Sequence, residues 1–69
     1  MIDEAYYILG VVNSSRNNLE ESELYLRKAI YLNPEYYEAL IQLAYIVETK
    51  GKIEEATRLK KRAKRIYET

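Results

Sequence analysis

Residues 3–34, DEAYYILGVVNSSRNNLEESELYLRKAIYLNP, lie over residues 37–68, YEALIQLAYIVETKGKIEEATRLKKRAKRIYE, without a gap. Glu4/Glu38, Ala5/Ala39, Leu9/Leu43, Glu20/Glu54, Glu21/Glu55 and Ala29/Ala63 are identical at this spacing of 34. Chemically matched pairs fill many gaps, among them Gly10/Ala44, Val12/Ile46, Leu19/Ile53, Ser22/Ala56, Arg27/Lys61 and Leu32/Ile66. A period of this length marks stacked helix-turn-helix units, each unable to bury its apolar face without a neighbour. The expected fold is all-α: two stacked antiparallel helix hairpins, a fragment of an α-solenoid, with repeat one at 3–36 and repeat two at 37–69.

Local signals give four helices at about 3–15, 19–32, 35–50 and 53–67. The first begins near Asp3, whose charge suits the positive end of the helix dipole, and fades in Asn13-Ser14-Ser15, whose side chains compete for backbone hydrogen bonds. Asn17 and Asn18 form the turn; Asn18 is expected to cap the second helix, with Glu21 placed to reach back to the cap N–H. Asn33-Pro34-Glu35 reads as the start of helix three: a cap, a proline tolerated in the first turn, and an acid. Gly51 closes that helix in the left-handed region, one period after Asn17, a residue that also tolerates it.

The apolar residues show how the helices stack. The second and third are apolar almost all round and are expected to be covered on both sides, while the fourth confines Ile53, Ala56, Leu59, Ala63, Ile66 and Tyr67 to less than half its circumference. The fourth therefore reads as a terminal cap. The first, ringed by Ala5, Tyr6, Tyr7, Ile8, Leu9, Val11 and Val12, does not read as a cap; either a neighbour is missing or this helix self-associates.

Composition excludes several chemistries. The 69 residues contain no cysteine and no histidine, so neither a thiolate/imidazole metal site nor a histidine acid–base relay is available. Ser14, Ser15 and Ser22 have no base to activate them, and Glu20/Glu21 and Glu54/Glu55 have a structural reason to stand in first helical turns. The only glycines, Gly10 and Gly51, make no phosphate loop. No catalytic, cofactor-binding or metal-ligating residue is expected. With no charged-then-apolar leader and no run of about twenty apolar residues, the chain is expected to be soluble and cytoplasmic.

The 11 basic and 11 acidic groups are unevenly placed. Residues 1–50 hold four basic and eight acidic groups, residues 51–69 seven basic and three acidic. Arg58, Lys61, Arg62, Lys64 and Arg65 form a basic surface on the fourth helix. Such runs are usually solvated faces; nucleic acid, an anionic membrane surface or an acidic partner are the functional alternatives. Nucleic acid stands well below the solvated-face reading, because the chain is neutral overall and no base-stacking platform is expected beside the basic helix.

Tyr6-x-x-Leu9-Gly10, Ser22-x-x-x-Leu26-x-x-Ala29 and Pro34, with a second copy in Leu40-x-x-Leu43-Ala44…Ala56…Ala63, resemble the tetratricopeptide repeat over essentially the whole chain. Small residues at Gly10/Ala44, Ser22/Ala56 and Ala29/Ala63 suit close helix approach. Asn13 departs from the pattern where tyrosine is usual, and Lys60 where a large aromatic is usual. The resemblance implies a right-handed array whose first helices line a concave groove, here Glu4, Tyr7, Ile8 and Val11 with Glu38, Ile41, Gln42, Tyr45 and Glu48. Such a groove is acidic, aromatic and aliphatic, suited to a protein or peptide partner with apolar anchors and Lys or Arg. Ile8, Val11 and Ile41 serve equally well as packing residues; Tyr7 and Tyr45 are the better anchors. Where some members carry a clamp that grips acidic C-termini, this chain has Tyr7, Val11 and Gln42, with Glu38 nearby, so no such binding is expected.

Residues 29–65, AIYLNPEYYEALIQLAYIVETKGKIEEATRLKKRAKR, are similar to the C-terminal repeats of some bacterial chemotaxis-type glutamate methyltransferases, the CheR family. That likeness implies a regulatory or partner-binding tail. The methyltransferase domain and its S-adenosylmethionine site lie outside these residues.

Overall fold

The computed structural model describes residues 1–68 and contains four helices, α1 (Ile2–Ser15), α2 (Leu19–Leu32), α3 (Tyr37–Thr49) and α4 (Ile53–Glu68). The last residue assigned to repeat two, Thr69, lies outside the described residues. α1 packs along α2, α3 along α4, and α2 on α3, while α1 and α3 touch lightly. The result is two stacked antiparallel hairpins in a slab of 32 × 31 × 16 Å.

Both hairpin turns close in the same way. Among the described residues, Asn17 (φ 62°) and Gly51 (φ 87°) are the ones with positive φ. Asn17 N–H donates to Ser14 O at 2.9 Å and Asn18 N–H to Asn13 O at 2.8 Å; Gly51 N–H donates to Glu48 O at 3.0 Å and Lys52 N–H to Val47 O at 2.8 Å. Each is a Schellman closure, which satisfies the last carbonyls of the helix through one left-handed residue.

Three local expectations are corrected. Asn18 occupies the N-cap position of α2, but its side chain makes no cap hydrogen bond; Nδ2 instead points back to Asn13 Oδ1 at 3.5 Å. Helix three starts at Tyr37 rather than Glu35, because Asn33 Oδ1 accepts from Glu35 N–H at 3.2 Å and Asn33 O from Tyr36 N–H at 3.0 Å. The Asn-Pro-Glu segment is thus spent on a turn after α2, a competing use of Asn side chains. α3 also ends at Thr49, with Lys50 as its C-cap.

The core is Leu26, Ala29 and Ile30 of α2, Ala39, Leu40, Leu43, Ala44, Ile46 and Val47 of α3, and Ala56, Leu59 and Ala63 of α4. α3 is sandwiched as its apolar wrap requires. α2 is not, since Leu24 and Tyr31 stay exposed: α1 and α3 cover two sides and nothing covers the outer one. On α4, Ile53 is exposed, and Tyr67 is exposed with its ring tilted against Tyr37 at 5.3 Å. Of α1, Gly10 is the buried residue. It sits against Ser22 and Leu26 of α2, and Ser22 Oγ, fully buried, donates to Gly10 O at 2.7 Å.

Ion pairs tie α2 to the second hairpin. Glu23 Oε2 accepts from Arg27 Nε and Nη2 at 2.9 and 2.7 Å, Arg27 also meets Glu55 at 2.9 Å, and Lys50 Nζ reaches Glu23 and Glu20 at 2.7 Å each. Burial pushes the Glu23 carboxyl up, but the Lys50 and Arg27 hydrogen bonds outweigh it and hold the group below its ordinary range. The hydrogen bond from Arg27 likewise lowers Glu55.

Candidate functional site

The pleat of two hairpins puts one face of α1 beside one face of α3. At the N-terminal ends of these helices the structure brings Glu4, Tyr7 and Glu38 into one open cleft of ≈ 500 Å³, with Met1, Asp3, Asn33, Glu35, Tyr36 and Tyr37 completing its lining. Tyr7 bridges the helices by packing on Tyr36, ring centroids 5.1 Å apart and planes at 35°. Asn33 Nδ2 donates to Asp3 Oδ2 at 3.2 Å, joining the α2–α3 turn to α1. The α-amino group of Met1 donates to Asp3 at 3.0 Å and Glu4 at 2.7 Å.

Four carboxylates, Asp3, Glu4, Glu35 and Glu38, outnumber the Met1 amine that pairs with Asp3 and Glu4, so the cleft is acidic on balance. Desolvation, followed by the carboxylates of Glu4 and Asp3, pushes the Tyr36 phenol up from its ordinary value. The Asp3 carboxyl is lowered by its hydrogen bond from the Met1 amine. Aromatic faces rimmed by carboxylates suit a cationic, partly apolar ligand group.

The other expected groove residues lie outside this cleft. Ile41 (39% exposed) and Tyr45 (60% exposed) stand on the open face of α3, Val11 and Gln42 are half-buried, and Ile8 is exposed. Glu48 is held by Lys60 Nζ at 3.1 Å, which reduces its charge as a ligand contact. Asp3, Asn33, Glu35, Tyr36 and Tyr37 of this cleft are not among the expected groove residues. The Tyr36-Tyr37 pair directly after the Asn-Pro-Glu turn was the available signal: adjacent residues at a helix start point to different sides, so one of them had to face α1.

On α4, Arg58, Lys61, Arg62 and Arg65 border a second open cleft of ≈ 490 Å³ with Glu55 and Leu59; Lys64 is exposed but not part of it. Arg62 Nη2 donates to Pro34 O at 2.8 Å. The expectation that no aromatic platform flanks the basic helix needs correction: Tyr31, 85% exposed, shares an adjoining cleft with Arg62. One tyrosine beside an arginine paired with the backbone is a small platform, and Arg27 and Glu55 of that cleft neutralise each other.

Among the described residues no cluster of His, Cys, Asp or Glu is arranged to hold a metal ion, and no helix is long and apolar enough to cross a membrane.

The family model described as tetratricopeptide repeat matches residues 3–36. A probable biofilm formation methyltransferase, WspC, of Pseudomonas putida is 36% identical over 62 residues, which is 90% of this chain and 15% of the relative. The protein of the same description from Pseudomonas aeruginosa is 37% identical over 60 residues, 87% of this chain and 14% of the relative. The chain therefore spans about one seventh of the length of these curated relatives. No solved structure gives a significant match.

Proposed function

We infer that the chain belongs to the tetratricopeptide repeat family, whose model matches residues 3–36, and from that premise we propose that it is a protein-interaction module, with repeats at 3–36 and 37–69, working in the cytoplasm as part of a larger protein or assembly. Its concave side takes a short segment carrying apolar anchors and Lys or Arg. One observation carries this reading: Tyr7, Glu4 and Glu38, from equivalent helices of the two hairpins, converge on a single acidic, aromatic cleft. Ile41 and Tyr45 extend the same side with exposed apolar surface, and aromatic side chains of this kind commonly anchor interfaces.

The test is selection of peptides from a random library on the immobilised chain, followed by affinity measurement with Tyr7→Ala and Tyr45→Ala. Selected peptides enriched in Leu, Ile or Phe next to Lys or Arg, and weakened about tenfold by Tyr7→Ala, are the expected result. Enrichment in acidic peptides, or affinities indifferent to both variants, would remove the groove as the site.

A second reading is supported by the two relatives, both described as probable biofilm formation methyltransferases. In it, the chain is the partner-binding or regulatory segment of a chemotaxis-type methyltransferase, and no catalytic step falls to the residues described above. Sequencing the source locus separates the two: an S-adenosylmethionine domain in the same open reading frame supports the methyltransferase setting, and its absence refutes that setting while leaving the interaction module standing.

A further inference from the structure

The outward sides of α2 and α4 correspond one period apart: Leu24, Lys28 and Tyr31 on α2 stand where Arg58, Arg62 and Arg65 stand on α4. α2 has a helix on either side of it, α1 and α3, yet Leu24, Lys28 and Tyr31 remain exposed. This side of the second helix of a hairpin therefore stays open in a stack of any length. The matching arginines of α4 lie on an open side for that reason, not because a neighbour is missing.

Arg62 is the hub of this side. It lines three open clefts: one with Arg58, Lys61 and Arg65, one that crosses to Tyr31 of α2, and one that runs between Pro34 and Ile66. They join into a trough along the outer edges of α2 and α4, with the nearly buried Leu59 lining two of the three. Arg62 Nη2 is tethered to Pro34 O at 2.8 Å, which fixes the guanidinium while its other N–H groups stay available for a planar acceptor. Among the described residues Arg58, Lys61, Arg62 and Arg65 have no ionic partner, and Glu55, the acid inside the trough, is spent on Arg27 at 2.9 Å. Four unpaired cations thus lie beside an exposed aromatic ring.

We propose that this outer trough docks an acidic amphipathic helix of another protein. Carboxylates spaced four and three residues apart meet Arg58, Arg62 and Arg65, since two helices share one rise per residue, and an adjoining apolar stripe lies on Tyr31 and Leu59. A second copy of this chain is not that partner, because none of its helices carries three acids at this spacing. A nucleic-acid strand or a vesicle surface fits less well. Its phosphates would run on past Arg58 to Glu54 and past Arg65 to Glu35, whereas a helix confines its carboxylates to chosen positions.

The probe is a fluorescein-labelled, alanine-based helical peptide of about 20 residues, with three glutamates at that spacing and a leucine directly after the first and the last. It is titrated with the whole chain and read by anisotropy. Saturable binding is expected, weakened about tenfold or more by Arg58→Glu with Arg65→Glu. Lys60→Glu with Lys64→Glu makes the same change of charge outside the three clefts and should leave the affinity within about twofold. Tyr31→Ala should weaken binding without altering its salt dependence, and a peptide with lysines in place of the glutamates should bind the Arg58→Glu, Arg65→Glu chain more tightly than the parent. All five positions are exposed, so helical circular dichroism should be retained throughout. Absence of binding, equal weakening by the Lys60 and Lys64 pair, or loss of binding with Tyr7→Ala, which would put the peptide in the concave cleft, each overturns the proposal. So does tighter binding of duplex DNA or of phosphatidylglycerol vesicles than of the peptide, because a phosphate polyanion would then be the occupant.

Discussion

Gly10→Ala tests the packing of α1 on α2. A Cβ built on Gly10 falls 2.7 Å from both Cγ and Cδ2 of Leu26 and 3.4 Å from the Ser22 carbonyl oxygen. Leu26 is 0% exposed, so neither contact is relieved by swinging a loose end, and Ser22 Oγ donates to Gly10 O at 2.7 Å and fixes the approach. Forcing a methyl into such a site costs about 1–3 kcal/mol, against which alanine's better helix propensity returns at most about 1 kcal/mol. The net expectation is a loss of roughly 1–2 kcal/mol, a large share of the roughly 3–5 kcal/mol available to a core of this size. That corresponds to a fall in Tm of about 5–15 °C, measured by far-ultraviolet circular dichroism. Leu26→Ala alone should cost about 2–5 kcal/mol, but adding it to Gly10→Ala should cost less than the two apart by about 1 kcal/mol, since each change makes room for the other. A Tm unchanged or raised by Gly10→Ala, or strict additivity in the double variant, would refute the reasoning.

Three further outcomes are expected. Gly51→Ala meets no atom within 4 Å but keeps φ at +87°, so it should cost about 1 kcal/mol through the backbone alone; an unchanged urea midpoint would show that the turn relaxes. The carboxyls of Glu23 and Glu55 are lowered from 4.5 in the folded chain, so the unfolded state binds more protons: the stability they contribute is complete above that value and is lost as pH falls through their lowered values. Thermal melts should hold from pH 7 to 5 and fall steeply below about 4.5, with a shallower slope in Glu23→Gln, and an identical slope would remove the network as the cause. A peptide with a doubly negative C-terminus should show no measurable affinity for the concave side, where Glu4, Glu38 and Asp3 gather; micromolar binding lost on adding salt would contradict this.

What the residues disclosed and what they hid divide along one physical line. The 34-residue period, the left-handed turns at Asn17 and Gly51 and the small residues at Gly10 and Ala44 are readable because each is a local necessity: a helix end needs a residue that tolerates positive φ, and a close crossing needs a missing side chain. Asn33 misled because an asparagine oxygen serves a helix start and a tight turn equally well, and the choice rests on where Tyr36 must go to meet Tyr7, a contact 29 residues away. The candidate cleft was half legible for the same reason. Glu4, Tyr7 and Glu38 follow from helical register, whereas Asn33, Glu35 and Tyr36 enter through the α2–α3 turn, which no periodicity describes, and Asp3 of α1 is tied to that turn by the hydrogen bond from Asn33. Hydropathy predicts α2 covered on both sides because it counts apolar residues without counting neighbours; Leu24 and Tyr31 remain bare because a two-hairpin stack leaves the outer side of its second helix open. The same logic leaves Leu9 and Val12 bare while their copies Leu43 and Ile46 are buried, so the sequence of a repeat specifies a surface to be covered, and position in the stack decides whether it is.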